Sequence, residues 1–197
     1  MTALAGRAFA DGIDDVLLAA AKAGPQRAGS DDAILAAAKA GLERARSKVT
    51  HADIVGVADF GQPSKELRFH LVDMSRGKVE SLLVAHGRGS DPSHTGWLRS
   101  FSNQPGSAAT SQGDYLTGDY YAGHHGRSMR LEGLDPTNSN AAERAIVVHA
   151  ADYVGPEIVR AHGVLGRSEG CFAVSPSDLP KVLDRLGPGR LLVATKL

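Results

Sequence analysis

The chain has 197 residues and a mass of 20.6 kDa, which suits one domain, or one domain with a small appendage. Its 22 basic and 22 acidic side chains cancel, which argues against a nucleic-acid partner and a polybasic membrane anchor. No apolar run approaches the roughly 18 residues of a transmembrane helix, and no signal peptide is visible. The single cysteine, Cys171, excludes an internal disulfide and a thiolate zinc cluster.

The first fifty residues are rich in Ala, Leu and Lys and predict two helices, at about 11–23 and 31–47. Gly24-Pro25 is expected to end the first helix, and Ser30 is a suitable N-cap for the second. We therefore predict an N-terminal helical hairpin over residues 1–50, and a separate domain over residues 51–197.

After residue 53 the pattern changes to short segments rich in Val, Ile and Leu and bounded by turn residues. These segments predict strands at 53–60, 67–74, 78–85, 127–133, 144–150 and 190–195. Arg76-Gly77 is predicted to form the turn of a hairpin. Two further segments, 155–163 and 175–186, predict short helices, the second capped by Ser177. The pattern indicates a mainly β domain with short helices.

Residues 86–126 contain few apolar runs and are dominated by Gly, Ser, His, Asp and Asn. We predict a long loop region here, and a loop of this length inside a compact domain is often functional.

Cys171 lies in the glycine-flanked turn GRSEGCFAVS, residues 166–175. A free cysteine is mostly protonated at neutral pH, so a nucleophilic thiol needs a base or a positive charge nearby. Arg167 is close along the chain, and His149 ends the apolar segment AIVVHA 22 residues earlier. We expect a short helix and a return to bring the His149 imidazole to the turn from a neighbouring strand.

Gly170 permits a tight bend before the cysteine, so the amides of Gly170 and Cys171 are expected to face a developing oxyanion. A different interpretation is also open, because a lone cysteine is often a buried small hydrophobic residue and a lone histidine after a strand is often structural. The residues alone leave both interpretations standing.

The segments RAIVVHAADYV and LGRSEGCFAVS resemble the murein L,D-transpeptidases, in particular a divergent branch of the YkuD-like superfamily. Two longer segments resemble the same branch in the same order, GVADFGQPSKELRFHLVDMSRGKVESLLVAHGRGSD and FSNQPGSAATSQGDYLTGDYYAGHHGRSMRLEGLD. The resemblance covers about residues 53–197. It implies a β-sandwich-like fold that carries a cysteine transpeptidase, so that 51–197 would be the catalytic domain.

The superfamily pattern maps its histidine onto His149 and its Ser-x-Gly-Cys group onto Ser168, Gly170 and Cys171. This chain departs from the pattern at two positions. Glu169 replaces the histidine that many relatives carry, which leaves the base role to His149 alone. Ala150 replaces a frequent Ser or Gly, so His149 must be oriented by a backbone carbonyl or by a residue from elsewhere.

The resemblance implies that Cys171 attacks a peptidoglycan stem peptide at the bond between an L-centre and a D-amino acid, and that an acceptor amine resolves the thioester. The cross-link would be of the 3-3 or the 1-3 type, and carbapenems are expected to acylate the thiol. Five residues are predicted to bind the substrate: Arg167, His86, Arg88, His125 and Tyr121. We expect no cofactor, no bound metal, a monomer, and a periplasmic or exported location.

Four other functions are considered. Water in place of the amine would give an L,D-carboxypeptidase, and another cell-wall cysteine peptidase would use the same Cys and His. Clustered histidines, including His94 and His124, raise the possibility of a zinc-binding module, although no His pair has the i, i+4 spacing of a helical site. A binding-only pseudoenzyme is disfavoured by the presence of both His149 and Cys171.

Overall fold

The computed structural model describes residues 24–197, of which Ile34–Leu197 form one compact unit. Helix α1 spans Gly24–Ala45, which confirms a helix near the predicted 31–47. Ser30 lies inside this helix and is therefore not its N-cap. The first predicted helix, 11–23, lies outside the described residues, so the hairpin and the domain boundary at residue 50 remain predictions. No helix within residues 24–197 is both long and apolar enough to cross a membrane.

The rest of the described chain is mostly β-structure, with two short helices, α2 (Pro156–His162) and α3 (Leu179–Leu186). In chain order the strands are β1 Ile54–Asp59, β2 Phe69–Asp73, β3 Lys78–Leu82, β4 Gly113–Gly123, β5 Gly126–Gly133, β6 Val147–Ala150, β7 Phe172–Val174 and β8 Leu191–Thr195. All six predicted strands and both predicted short helices are present.

Strands β4 and β7 were not predicted. The longest strand, β4, lies in the region that we expected to be loop. Its Gly, Asp and Thr residues mask the apolar alternation, and it is held as a strand by pairing with both β5 and β8. Strand β7 has only three residues, which is too short for a periodic signal.

The eight strands form one sheet with the order β3-β2-β1-β8-β4-β5-β6-β7. The pairs β1–β8 and β6–β7 are parallel, and the other pairs are antiparallel. Phe172 of β7 packs edge-on against Tyr115 of β4, with ring centroids 5.4 Å apart, and lies 6.0 Å from Phe60, just after β1. Both ends of the sheet therefore enclose one core, which confirms the expected sandwich-like arrangement.

Helix α3 covers one side of this core with Leu179, Val182, Leu183 and Leu186, the spacing of an amphipathic helix. Its N-cap is Asp178, and the Asp178 amide donates to the Ser175 hydroxyl at 3.1 Å. The prediction that Ser177 caps this helix is therefore wrong by one position.

Candidate active site

The parallel pairing of β6 with β7 puts the predicted histidine on the strand next to the one that the cysteine precedes. His149 is aligned with Ala173, and Cys171 lies two residues before Ala173. Because side chains alternate along a strand, continuing β7 back by one residue would put Cys171 on the face of the sheet that carries His149. The crossover between the two strands contains α2, as the spacing predicted.

The His149 side chain is buried, with only 1% of its surface exposed. Its Nδ1 lies 2.8 Å from the carbonyl oxygen of Ala150. A carbonyl can only accept, so Nδ1 carries the proton and Nε2 of the neutral ring is free to accept another. The orienting group is thus a backbone carbonyl. Burial lowers the pKa of His149, the Ala150 bond opposes that shift, and the charge of His125 adds to it.

The Cys171 side chain is half-buried, and its Sγ lies 3.5 Å from the carbonyl oxygen of Ala145. Burial raises the pKa of the Cys171 thiol. A backbone hydrogen bond at Val147 and the charge of Arg144 act in the opposite direction, while Glu169 raises this pKa further. Burial thus favours an uncharged thiol at Cys171 and an uncharged imidazole at His149.

The turn before Cys171 is held by the hydroxyl of Ser168. This hydroxyl donates to the Cys171 carbonyl at 2.7 Å and accepts from the Gly170 amide at 3.1 Å. The expectation that the Gly170 amide faces an oxyanion is therefore wrong, because this N–H is already bound inside the turn. Both bonds indicate that the Ser168 hydroxyl shapes the turn.

Gly170 cannot be replaced without a clash. Its φ of 121° is in a region that favours glycine. A Cβ at this position would lie 2.7 Å from the carbonyl oxygen of Ala109 and 2.8 Å from Ile146 Cδ1. A Cβ on Gly87 would in turn lie 2.8 Å from the Gly170 Cα. Three backbone segments thus meet behind the cysteine at distances that only glycines permit.

Arg144 is a residue of the site that sequence reasoning missed. One end of its guanidinium donates to the Ser102 carbonyl at 2.8 Å and to the Ser111 hydroxyl at 2.6 Å. The other end donates to the Ser107 hydroxyl and to the Ala109 carbonyl. Arg144 therefore holds the loop that lies against the catalytic turn, and its charge acts on Cys171. It begins the segment RAIVVHA, which we interpreted only as a strand.

The sequence matches the YkuD_2 family, an L,D-transpeptidase catalytic domain, over residues 26–194. This chain belongs to that L,D-transpeptidase family. Comparison with curated protein sequences gives no match.

Solved L,D-transpeptidases show a limited likeness to this domain. The chain is 16% identical to an L,D-transpeptidase from Mycobacterium smegmatis, with a TM-score of 0.44, covering 72% of this chain and 58% of that one. It is 18% identical to an L,D-transpeptidase from Mycobacterium tuberculosis H37Rv, with a TM-score of 0.45 and coverages of 72% and 57%. It is 16% identical to L,D-transpeptidase 3 from Mycobacterium tuberculosis, solved with a faropenem-derived adduct. The TM-score is 0.46, and the match covers 73% of this chain and 60% of that one. This chain thus spans less than two thirds of each of them.

In this L,D-transpeptidase domain, Arg167 does not supply the charge that acts on Cys171. Its guanidinium donates to the carbonyl oxygens of Asp91 and Pro92, the latter at 3.2 Å. The cation that lowers the pKa of Cys171 is Arg144. Arg167 still lines an open groove, which leaves its predicted contact with a substrate carboxylate as a proposal.

Two adjoining grooves lie on one side of the catalytic turn and share Gly106 and Ala108. The groove with Arg144 and Glu169 is lined by Pro105, Gly106, Ala108, Glu143, Arg144 and Glu169. Its neighbour is lined by Arg88, Gly89, Pro92, Gly106, Ser107, Ala108 and Arg167. Arg88 donates from Nε to Glu169 at 2.6 Å, and both side chains are exposed, so this ion pair sits where the two grooves meet.

His86 was predicted to line the substrate cleft, but it is 1% exposed. Arg68, which is fully buried, donates to His86 Nδ1 at 2.7 Å. The proton of the neutral ring is therefore on Nε2, which lies 3.6 Å from Asp91 Oδ2. Burial, with the charge of Arg68, lowers the pKa of His86 to about 3. The histidine belongs to a buried polar cluster, and the prediction that it contacts substrate is wrong.

A third groove lies beside His149, and His125 is one of its lining residues. Its lining residues are His124, His125, Ala150, Ala151, Asp152, Tyr153 and Pro176. The predicted Tyr121 lies on the same hairpin, with the Arg130 guanidinium 4.3 Å from its ring centroid. One face of that ring is therefore covered, and its contact with substrate remains a prediction.

Tyr153 is a second residue that we missed, although it lies in the segment HAADYV. Burial raises the pKa of Tyr153 to about 12, and the charges of Cys171 and Glu169 add to the shift. Its hydroxyl therefore stays protonated at neutral pH. Within residues 24–197, no group of three or more His, Cys, Asp or Glu side chains is arranged to hold a metal ion.

Proposed function

We propose that this protein is a peptidoglycan L,D-transpeptidase, with Cys171 as nucleophile and His149 as base. The observation that supports the proposal is the parallel pairing of β6 with β7, which aligns His149 with Ala173, two residues after Cys171. The Nδ1 proton of His149 is bound by the Ala150 carbonyl, so Nε2 is the atom left to take the thiol proton.

In the first stage, Cys171 Sγ forms a bond to the carbonyl carbon of the L-centre in a donor stem peptide. The thiol proton passes to His149 Nε2, and the bond to the D-amino acid breaks. His149 returns the proton to the departing amine, so a thioester and a free D-amino acid result. With the Gly170 amide bound by Ser168, the Cys171 amide and the Tyr153 hydroxyl are the proposed donors to the oxyanion.

In the second stage, the amine of an acceptor stem attacks the thioester carbon. The amine loses its proton to His149, the carbon–sulfur bond breaks, and the proton returns to Cys171. One amide bond is broken and one is formed, so no energy source or redox partner is required. The cross-link is of the 3-3 or 1-3 type, and the reaction takes place at the cell wall, outside the cytoplasmic membrane.

The grooves on the two sides of the cysteine are the proposed binding surfaces for the stem peptides. Arg88 and Arg167 offer guanidinium groups to a carboxylate on one side. His125 and Tyr153 offer aromatic and polar contacts on the other side.

The test is incubation of the purified protein with a disaccharide tetrapeptide, followed by mass spectrometry of the products. Wild type is expected to give a cross-linked dimer together with the free D-residue. Cys171→Ala removes the nucleophile and should give neither product, while His149→Gln should reduce dimer formation by at least the ~10²-fold that a positioned base contributes. Arg76→Gln, on an exposed turn, is a control that should behave as wild type.

Other products separate the alternatives. A tripeptide and free D-residue without dimer, lost in Cys171→Ala, would assign the domain as an L,D-carboxypeptidase. Equal activity in wild type and Cys171→Ala would end the proposal. Meropenem, as a representative carbapenem, should add one adduct mass to wild type and none to Cys171→Ala.

A further inference from the structure

The imidazole of His125 stacks on the imidazole of His149. The ring centroids are 4.1 Å apart, and the ring planes differ by 21°. His149 is buried and His125 is exposed, so the outer ring covers the inner one. The neighbouring His124 meets His125 edge-on, at 5.1 Å and 75°, and gives a natural comparison within the same turn.

The stack is held in place by the hairpin of β4 and β5. His124 and His125 form its tip, between the paired residues Gly123 and Gly126. One arm of the hairpin is fixed by the Tyr120 hydroxyl, which donates to the Leu183 carbonyl at 2.6 Å. A ring carried on an anchored hairpin can hold its neighbour in one orientation, which a ring on a free loop could not do.

We propose that His125 is a positioning residue for His149, holding the ring of the base in place and keeping it unprotonated as the pH falls. This inference rests on the proposed function, in which neutral His149 accepts the Cys171 proton. Burial disfavours the charged form of His149, so the ring that accepts the thiol proton is neutral. A positive charge on His125 opposes a proton on the ring stacked against it, so the base remains available.

The remaining charged and titratable groups around His125 are few in the described part of the chain. His124 is on its own hairpin, and Asp152 and Tyr153 line the same groove from the segment after β6. The charge of His125 lowers the pKa of His149, as the proposal requires.

Three variants separate the stacking from the charge. His125→Phe keeps an aromatic ring but cannot be protonated. His125→Arg keeps a planar group that can stack and is always charged. His125→Ala removes both, and His124→Phe is the matched control because that ring does not stack on His149. Each variant is assayed for cross-linking across pH, and the His149 ring is titrated by NMR, with His149→Gln used to assign its signal.

His125→Phe should move the acid limb of kcat/KM, and the His149 titration, to higher pH by about one unit. His125→Arg should keep the acid limb at or below that of wild type. His125→Ala should lower the plateau kcat about tenfold, a part of the ~10²–10⁴-fold that a positioned base provides, with little change in KM. His124→Phe should leave the acid limb and the His149 titration at the wild-type pH.

The proposal is overturned if His125→Phe leaves both the acid limb and the His149 titration where wild type has them, or if His125→Ala retains the wild-type plateau. The NMR titration uses no peptidoglycan. If cross-linking fails for wild type while the titration shifts as expected, the proposed function is wrong and the coupling of the two rings still holds.

Discussion

Arg144 donates a hydrogen bond to the carbonyl oxygen of Ala109. That oxygen is the atom against which Gly170 packs, since a Cβ there would lie 2.7 Å away. The same guanidinium bonds to Ser102 and Ser111, so one side chain joins the loop behind the turn to the strand that ends in His149. Its charge also lowers the pKa of the Cys171 thiol. The arginine thus has a structural and an electrostatic effect that substitutions can separate.

Replacing Arg144 is expected to change thiol reactivity and loop position to different degrees. Arg144→Gln removes the charge, so the pH at which iodoacetamide alkylates Cys171 at half its maximal rate should rise, by about half a unit. Arg144→Lys keeps the charge but loses the paired bonds to the loop, so that pH should stay near wild type while cross-linking falls. Arg167→Gln is the control. A larger shift in Arg167→Gln than in Arg144→Gln would contradict the assignment of the charge.

The resting state of the Cys171 and His149 pair can be read from the pH dependence of alkylation. Burial raises the pKa of the thiol and lowers the pKa of the imidazole, and both shifts favour the uncharged pair. The wild-type alkylation rate should therefore rise with pH through a midpoint above the roughly 8.5 of a free cysteine. His149→Gln should leave this midpoint nearly unchanged while abolishing cross-linking.

The single cysteine makes this measurement specific, and Cys171→Ala gives the background. A midpoint near or below pH 7 that rises strongly in His149→Gln would show a preformed thiolate–imidazolium pair. That result would replace proton transfer during attack by attack from a standing thiolate.

The features that sequence reasoning predicted are those with a local signal. Six strands carry the apolar periodicity of buried segments, and the predicted short helix and return do lead from β6 to its parallel neighbour β7. Strand β4 carries no such signal, because its partners β5 and β8 come later in the chain and supply the hydrogen bonds that define it. Its assignment needs the tertiary structure.

The same distinction applies to the site. The loop GRG at 87–89 suggested an accessible wall, and Arg88 is indeed exposed, but the adjacent His86 turns inward to Arg68, 18 positions earlier. Which of two neighbouring polar residues is buried depends on partners distant in sequence. Arg144 was overlooked for a related reason, because its function comes from the loop 102–111 and not from its neighbours in the strand.

Gly170→Ala is expected to impair the site more than the fold. The new Cβ would strike a backbone oxygen at 2.7 Å, and φ is 121°, so the turn must move. A displacement of about 1 Å at the nucleophile can cost roughly 10² in rate, and the strain should lower the free energy of unfolding by about 1–3 kcal/mol. Cross-linking and urea denaturation measure the two effects.

Gly77→Ala is the matched control for that prediction. Gly77 also has a positive φ, 62°, but no atom lies within 4 Å of the position of its Cβ, and it is in the turn between β2 and β3. The Gly77→Ala variant should lose about 1 kcal/mol of the free energy of unfolding and retain its activity. If the two glycine variants lost activity equally, the close packing around Gly170 would not explain its requirement.

Arg68→Met is expected to be strongly destabilising, because Arg68 is fully buried and donates hydrogen bonds to the acceptors around it. It donates to the carbonyl oxygens of Gln62 and Val84 and to His86 Nδ1, and the charges of Asp59 and Asp91 act on it. Methionine fills similar space but leaves those acceptors and carboxylates uncompensated, so urea denaturation should show a loss of about 3–5 kcal/mol. Arg76→Met, on the surface beside Asp73, should cost less than about 1 kcal/mol. An Arg68→Met variant as stable as Arg76→Met would mean that the buried cluster beneath the catalytic turn contributes no net stability.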